Sequence, residues 1–186
     1  MTARLVILDR DGVLNAEADE HVRSIEEWLP LPGSLEAVAR LNRAGYRTAL
    51  ATNQSGIARG LLDEEDLRAI HRHINAELAR IGGRLDPIVH SPDPPGIAAP
   101  MRKPRPGMLL EIARRLDVSL EGVPYVGDSW RDVAAARAAG ATPVLVRTGH
   151  GAATVAAGHD LHGIAVYDDL AAFVDAFLAA RAVDAP

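Results

Sequence analysis

The run Leu5-Val6-Ile7-Leu8 constrains the fold most, because four consecutive apolar residues read as a strand covered on both faces, and such strands belong to parallel sheets flanked by helices. The run stops at Asp9-Arg10-Asp11-Gly12. Side chains two apart on an extended segment point the same way, so Asp9 and Asp11 are expected to face one spot at the strand's carboxyl end, where Gly12 lets the chain turn away. Open parallel sheets hold their ligands at that edge. Two carboxylates crowded there would each have a raised pKa unless a cation lies between them or one stays protonated. A hard cation such as Mg²⁺ suits oxygen ligands of this kind, and the pair could serve phosphoryl transfer as nucleophile and proton carrier. The same four residues also make an ordinary exit turn, so the rest of the chain has to decide.

Apolar runs alternate with helical patterns along all 186 residues, which predicts an α/β chain, a three-layer Rossmann-like sandwich with a mostly parallel sheet. Residues 15–33 read as loop with a small hairpin. Ser34 is the expected N-cap of a helix with Leu35, Val38 and Leu41 on one face, and a strand over 46–51 then delivers Thr52-Asn53-Gln54-Ser55-Gly56 to the edge occupied by Asp9. Residues 63–81 form the clearest helical pattern, with Leu67, Ile70, Ile74, Leu78 and Ile81 in one stripe. His71 and His73 are two apart, off a common helical face, and are expected on the solvated surface. A third strand is expected over 86–90, followed by a loop over 91–107 with six prolines, too many for a helix or a central strand. A helix over 107–116, a strand over 124–127, a helix opened by Asp128-Ser129-Trp130-Arg131-Asp132 and stopped by Gly140, and strands over 143–146 and 164–167 complete the alternation. Asp168 or Asp169 caps a last helix with Leu170, Phe173, Val174 and Phe177 inward.

Residues 1–186 are expected to form a single domain; 48% hydrophobic and 24% charged residues are the globular average. The absence of cysteine rules out disulfides and thiolate metal sites and suits a reducing compartment, here the cytoplasm. With no basic leader, no signal-type apolar segment and no long uncharged apolar run, neither secretion nor membrane insertion is expected. A net charge of −5 argues against a nucleic-acid surface, so any anionic substrate must be held by a few local cations. A monomer is expected.

Four strand ends thus carry polar residues that could meet: Asp9 and Asp11, Thr52 and Asn53, Arg102 and Lys103, then Asp128 and Asp132. In this order they resemble the four motifs of the haloacid dehalogenase superfamily of phosphotransferases. Asp9-Arg10-Asp11-Gly12, the nine residues Thr52 to Gly60, Arg102-Lys103-Pro104 with Pro106-Gly107-Met108, and Gly127-Asp128-Ser129 are similar to the D-glycero-D-manno-heptose 1,7-bisphosphate 7-phosphatases. The resemblance implies a Mg²⁺-dependent phosphomonoester hydrolase that removes the 7-phosphate of a small sugar bisphosphate in lipopolysaccharide core precursor synthesis. Asp9 would be the nucleophile and Asp11 the general acid and base. Mg²⁺ would be held by the Asp9 carboxylate, the Asp11 main-chain carbonyl and Asp128. Asp132 is a further metal candidate, or a residue that orients Lys103 or stabilises a helix start. Thr52, Asn53, Gln54, Ser55, Arg59, Arg102 and Lys103 would bind phosphate and substrate.

One departure bears on the substrate. Many heptose bisphosphate phosphatases carry a Cys/His zinc loop before the Arg-Lys-Pro, whereas the corresponding positions here are Ser91, Asp93, Ala99 and Met101, so no zinc is expected and proline stiffness takes over part of its ordering role. His90, His159 and His162 do not make a replacement site. About forty residues separate Asp11 from Thr52, too few for a folded cap, so a capless site open to solvent is expected. A histidinol-phosphate phosphatase or another small sugar-phosphate phosphatase is the alternative enzyme. A polynucleotide 3′-phosphatase fits the acidic balance poorly. A phosphate-binding module without catalysis would lack some member of the set, and none is missing.

Overall fold

The computed structural model describes residues 3–17 and 21–183. Six parallel strands lie in the order β3-β2-β1-β4-β5-β6: β1 (Leu5–Leu8), β2 (Arg47–Asn53), β3 (Ile88–Ser91), β4 (Pro124–Gly127), β5 (Thr142–Val146) and β6 (Ala165–Tyr167). Every pairing is parallel, with Leu5 opposite Arg47 on one side of β1 and Ile7 opposite Tyr125 on the other. The chain builds outward from β1 to β3, returns to the centre, and builds outward again from β4 to β6. Neighbours β1 and β4 therefore lead their connections in opposite directions, and the carboxyl edge between them opens into a crevice.

Helices cover both faces, which is why β1 is apolar without alternation. Val6 and Leu8 join a core with Val38 and Leu41 of α1 (Ser34–Arg43), Leu67, Ile70, Ile74 and Leu78 of α2 (Glu64–Arg80), and Phe173 and Val174 of α6 (Leu170–Val183). Leu5 and Ile7 point the other way, to Met108, Leu109 and Ile112 of α3 (Gly107–Leu116) and Ala135 and Ala136 of α4 (Trp130–Ala139). Small alanines on α4 let that helix lie close to the sheet. Each of these four apolar α2 side chains contributes about 1.5–3 kcal/mol of burial free energy.

Helix starts follow side-chain chemistry, with one correction. Asp63 caps α2, accepting from the Glu65 and Asp66 N–H groups, while the Asp66 carboxylate accepts the Asp63 N–H. Ser34 is not a cap: Gly33, at φ 74°, precedes α1, and Ser34 is its buried first residue, donating to the Leu14 carbonyl at 2.6 Å. The Asp169 carboxylate accepts the Ala172 N–H and so supplies the expected cap of α6. The short α5 (Gly151–Ala156) was not predicted, since six residues are too few to show a period. Ile81 ends outside the α2 stripe, partly exposed as the residue after the helix.

His71 also departs from expectation. It is buried, and its Nε2 has no hydrogen-bond partner among the described residues, while His73 meets the edge of Trp28. Burial, helped by the Arg10 guanidinium and by His90, lowers the His71 pKa from 6.5 to about 3. Its unfolded form therefore binds a proton that the folded form refuses between those values, so the contribution is complete above pH 6.5 and is lost as pH falls. Stability should decline below pH 6.5 with a slope approaching about 1.4 kcal/mol per pH unit from this residue. His71→Leu should flatten the dependence of Tm on pH in that range; an unchanged slope would assign the acid sensitivity elsewhere.

Candidate active site

The backbone after β1 makes one more ladder bond, Asp9 N–H to the Val126 carbonyl at 2.9 Å, and then turns sharply. The Arg10 carbonyl accepts from the N–H groups of Val13, Leu14 and Asn15, and Gly12 takes φ 77°. A Cβ at Gly12 would collide with the Asp128 carboxylate, as would one at Gly149, so both glycines let the backbone close on that group.

Asp9 lies at the bottom of the crevice. Its Oδ1 accepts the Arg10 N–H at 2.8 Å and its Oδ2 meets the Lys103 ammonium at 2.8 Å. Burial pushes its carboxyl up to about 8; Lys103 opposes this, while Asp132 and Asp128 add to it. The expected mutual repulsion of Asp9 and Asp11 is not the cause. Burial alone would raise Asp11 as well, but the Arg10 guanidinium and hydrogen bonds from Asn15, Arg10 and Gln54 hold it below the usual carboxylate range.

Lys103 comes from the proline loop yet reaches the sheet's centre. Its ammonium meets Asp9, Asp132 at 2.7 Å, the Tyr125 hydroxyl at 2.9 Å and the Ala51 carbonyl at 3.2 Å. Asn53 fixes the backbone behind it, accepting the Lys103 N–H at 3.0 Å and donating to the Lys103 carbonyl at 3.2 Å. Although burial lowers the pKa of Lys103, the charges of Asp132 and Asp9 more than reverse that effect. The rest of the loop is held by Arg102, which donates to the Asp93 carbonyl at 2.6 Å, and by a Ser91 to Asp93 bond at 2.9 Å.

Asp9, Asp128 and Asp132 bring carboxylate oxygens within 4.8 Å of one another. Asp132, the further metal candidate, belongs to this group, and its contacts are those of the alternative role: Oδ1 accepts from Lys103 and Tyr125, and Oδ2 from the Ser129 N–H and hydroxyl, which orients Lys103 and caps α4. Asp128 accepts only the His150 N–H, at 2.7 Å on Oδ2, among the described residues. Burial and then Asp132 push it up to about 7, against the His150 N–H. Three buried carboxylates thus lie together, and one ammonium meets two of them, Asp9 and Asp132. Hard oxygen donors with excess negative charge fit Mg²⁺, and the uncommitted donor is on Asp128 beside Asp9.

Above these groups lies a cleft of about 260 Å³, lined by Asp9, Asp11, Thr52, Asn53, Ser55, Arg59, Arg102, Lys103 and Asp128 of the predicted set. Gln54 does not line it. It is buried, and its amide is spent on Asp11, Thr52 and Arg10, so it braces the site from behind. Glu17, His21, Arg131 and His150 line the cleft and were missed. Arg131 and His150 follow strand ends, a signal that could have found them; Glu17 and His21 sit in patternless loop. Arg59 and Arg131 both press on Arg102, which is lowered by burial first and then by these two charges, so the mouth is cationic above an acidic floor.

Residues 100–173 match a family model described as HAD-hyrolase-like. The chain is 51% identical to the D-glycero-beta-D-manno-heptose-1,7-bisphosphate 7-phosphatase of Bordetella bronchiseptica, over 94% of this chain and 98% of the relative. The chain belongs to the HAD-type heptose 1,7-bisphosphate 7-phosphatase family. The Pseudomonas aeruginosa member of this phosphatase family is 46% identical over 96% of the chain and 99% of its own length. Among solved structures, the Bordetella bronchiseptica D,D-heptose 1,7-bisphosphate phosphatase complexed with magnesium and phosphate superposes with a TM-score of 0.92 at 50% identity, covering 97% of this chain and 99% of that one. That of Burkholderia thailandensis gives 0.74 at 46% identity, with 94% and 97% covered. The family model lies wholly downstream of β3, so it includes Arg102, Lys103 and Asp128 of this phosphatase but not Asp9.

Proposed function

We propose that this chain hydrolyses the 7-phosphate ester of D-glycero-D-manno-heptose 1,7-bisphosphate, as its relatives' name says of them. The observation that carries the reading is the Asp9, Lys103 and Asp128 cluster at the bottom of a cleft whose mouth is ringed by arginines. Asp9 attacks phosphorus through Oδ2, forming an aspartyl-phosphate and breaking the bond to the sugar oxygen, which divides one hard hydrolysis into two steps. Asp11 gives that oxygen a proton and later takes one from the water that frees the phosphate. The carboxyl of the ligand-free Asp11 is held below the usual range, and the dianionic phosphate arriving beside it raises its proton affinity, so Asp11 takes up its proton from solvent as the substrate binds.

The Thr52 hydroxyl, the Asn53 backbone N–H and Ser55 hold the phosphoryl oxygens, and Lys103 places a fixed charge beside them. Asp9, the Asp11 carbonyl and Asp128 would hold Mg²⁺, which would supply positive charge to offset the repulsion between nucleophile and phosphate. Arg59, Arg102 and Arg131 suit the second phosphate of a bisphosphate, which a substrate with one phosphate would leave unmatched. The same reading makes the chain a single capless domain acting as a monomer in the cytoplasm, without nucleic-acid or membrane partners. No helix among the described residues is long and apolar enough to cross a membrane.

Phosphate release from the heptose bisphosphate and from histidinol phosphate, each with Mg²⁺ and with EDTA, tests both halves of the proposal. The bisphosphate should be turned over with the higher kcat/KM, and EDTA should abolish turnover until Mg²⁺ is restored. A preference for histidinol phosphate would replace the substrate, and activity surviving full chelation would remove the metal role of Asp128.

A further inference from the structure

Between the two aspartates lies an arginine with no access to solvent. Side chains alternate along β1 and its extension, so Arg10 turns to the face opposite Asp9 and is 0% exposed. A buried guanidinium is costly unless its donors are used, and apolar residues of similar size serve stability as well or better. Its hydrogen bonds have a narrow set of recipients. Nε and Nη2 reach Asp11 Oδ1 at 3.1 and 2.9 Å, and Nη2 also reaches Asp11 Oδ2 at 3.0 Å and Gln54 Oε1 at 3.1 Å, while Nη1 has no partner among the described residues. Gln54 then donates through Nε2 to Asp11 Oδ2 at 2.8 Å and to Thr52 Oγ1 at 2.9 Å. The guanidinium donates to no helix and to no strand of the core. The network ends on two cleft-lining groups, a carboxylate whose side chain is 22% exposed and the threonine hydroxyl.

We infer that Arg10 and Gln54 form a positioning pair that fixes the Asp11 carboxylate in register with the Thr52 phosphate cradle. Neither touches substrate. The guanidinium fork sets the plane of the carboxylate, and the Gln54 amide ties that plane to Thr52, so the proton-carrying oxygen and the phosphoryl group it serves are located by one rigid frame. The Arg10 N–H also holds Asp9 Oδ1, so the same residue reaches both carboxylates from opposite ends of its own chain. The inference rests on the proposed role of Asp11 as general acid.

The test compares kcat/KM on two phosphate esters, because kcat/KM stops at formation of the aspartyl-phosphate, where Asp11 acts as acid. A sugar phosphate needs a proton on its leaving oxygen; 2,4-dinitrophenyl phosphate does not. Asp11→Asn should lower kcat/KM on the sugar phosphate by about 10² to 10⁴ and barely change it on the aryl ester. Gln54→Met, which keeps the volume and removes both donor bonds, should reproduce that selectivity with a loss of about tenfold to hundredfold on the sugar phosphate and under about threefold on the aryl ester. Arg10→Lys keeps the charge but loses the fork and should behave like Gln54→Met; should it fail to fold, the glutamine variant decides alone. Equal losses on both esters in Gln54→Met, or no loss on either, overturn the positioning role while the selectivity of Asp11→Asn stands. An unselective Asp11→Asn overturns the general-acid reading, and the inference with it.

Discussion

Asp9→Asn is expected to lower turnover by roughly 10⁴ or more, the scale seen when a nucleophile is deleted from a preformed site. The amide keeps the shape of the carboxyl and can still accept the Arg10 N–H that Oδ1 now receives at 2.8 Å. It cannot form the bond to phosphorus. The fold should survive, because burial and the neighbouring carboxylates of Asp132 and Asp128 already oppose the charge on Asp9 in the metal-free protein. Loss of the ion pair to Lys103 and relief from Asp132 and Asp128 oppose each other, so urea unfolding should move little. The stringent readout is phosphate transfer to the protein: a brief incubation with labelled substrate should mark the native enzyme and leave Asp9→Asn unmarked. A variant that kept a near-normal rate would exclude the covalent route.

Lys103→Met should damage stability and catalysis together. Removing one partner of a buried ion pair costs about 3–5 kcal/mol because the opposite charge stays behind without compensation. Here Asp9 at 2.8 Å and Asp132 at 2.7 Å both lose their ammonium, and the Tyr125 hydroxyl loses a hydrogen-bond partner. Catalysis should fall by about 10² to 10³, the share of one preorganised donor to the transferring group. Lys103→Arg is not expected to rescue it, since a planar fork cannot direct three protons at Asp9, Asp132 and the Ala51 carbonyl from one point. Urea midpoints and kcat/KM on the same preparations decide the matter. Native values for both would show that the contacts of Lys103 contribute nothing.

The chain's period and punctuation made most of the fold legible. Leu5–Leu8, Gly107–Leu116 and Pro124–Gly127 coincide with the expected elements, and the others shift by one to three residues, where the ladder of a neighbour and not the strand's own composition sets the end. Thus β2 runs on to Asn53 because β3 pairs with it as far as Ser91. The positions of Asp9, Lys103 and Asp128 were also readable, since each stands at the end of a strand or in a loop that the parallel sheet must deliver to one edge.

Sequence could not say which way a side chain at that edge would turn. The period of the chain could not show that Asp132 accepts from four donors, or that the Gln54 amide turns to Asp11 and Thr52. Burial of His71 escaped for a related reason. Its neighbours Ile70 and Ile74 fill the helix face that meets the sheet, and His71 is buried beside them with the His90 ring 6.3 Å away, a tertiary approach that helix period does not encode. Glu17 and His21 joined the cleft through a loop with no period to read.

Strands β1 to β3 form one wing of the sheet and β4 to β6 the other, and the ladder between them is the shortest, with two register pairs at Ile7 with Tyr125 and Leu8 with Val126. Lys103 lies across that seam, touching the end of β1 through Asp9, β2 through Ala51 and the far wing through Tyr125 and Asp132. The proposed reaction centre is therefore also the rivet between the two halves of the molecule. Any change at this joint therefore bears on turnover and on cohesion together, whereas the outer strands of either wing are free of that double demand.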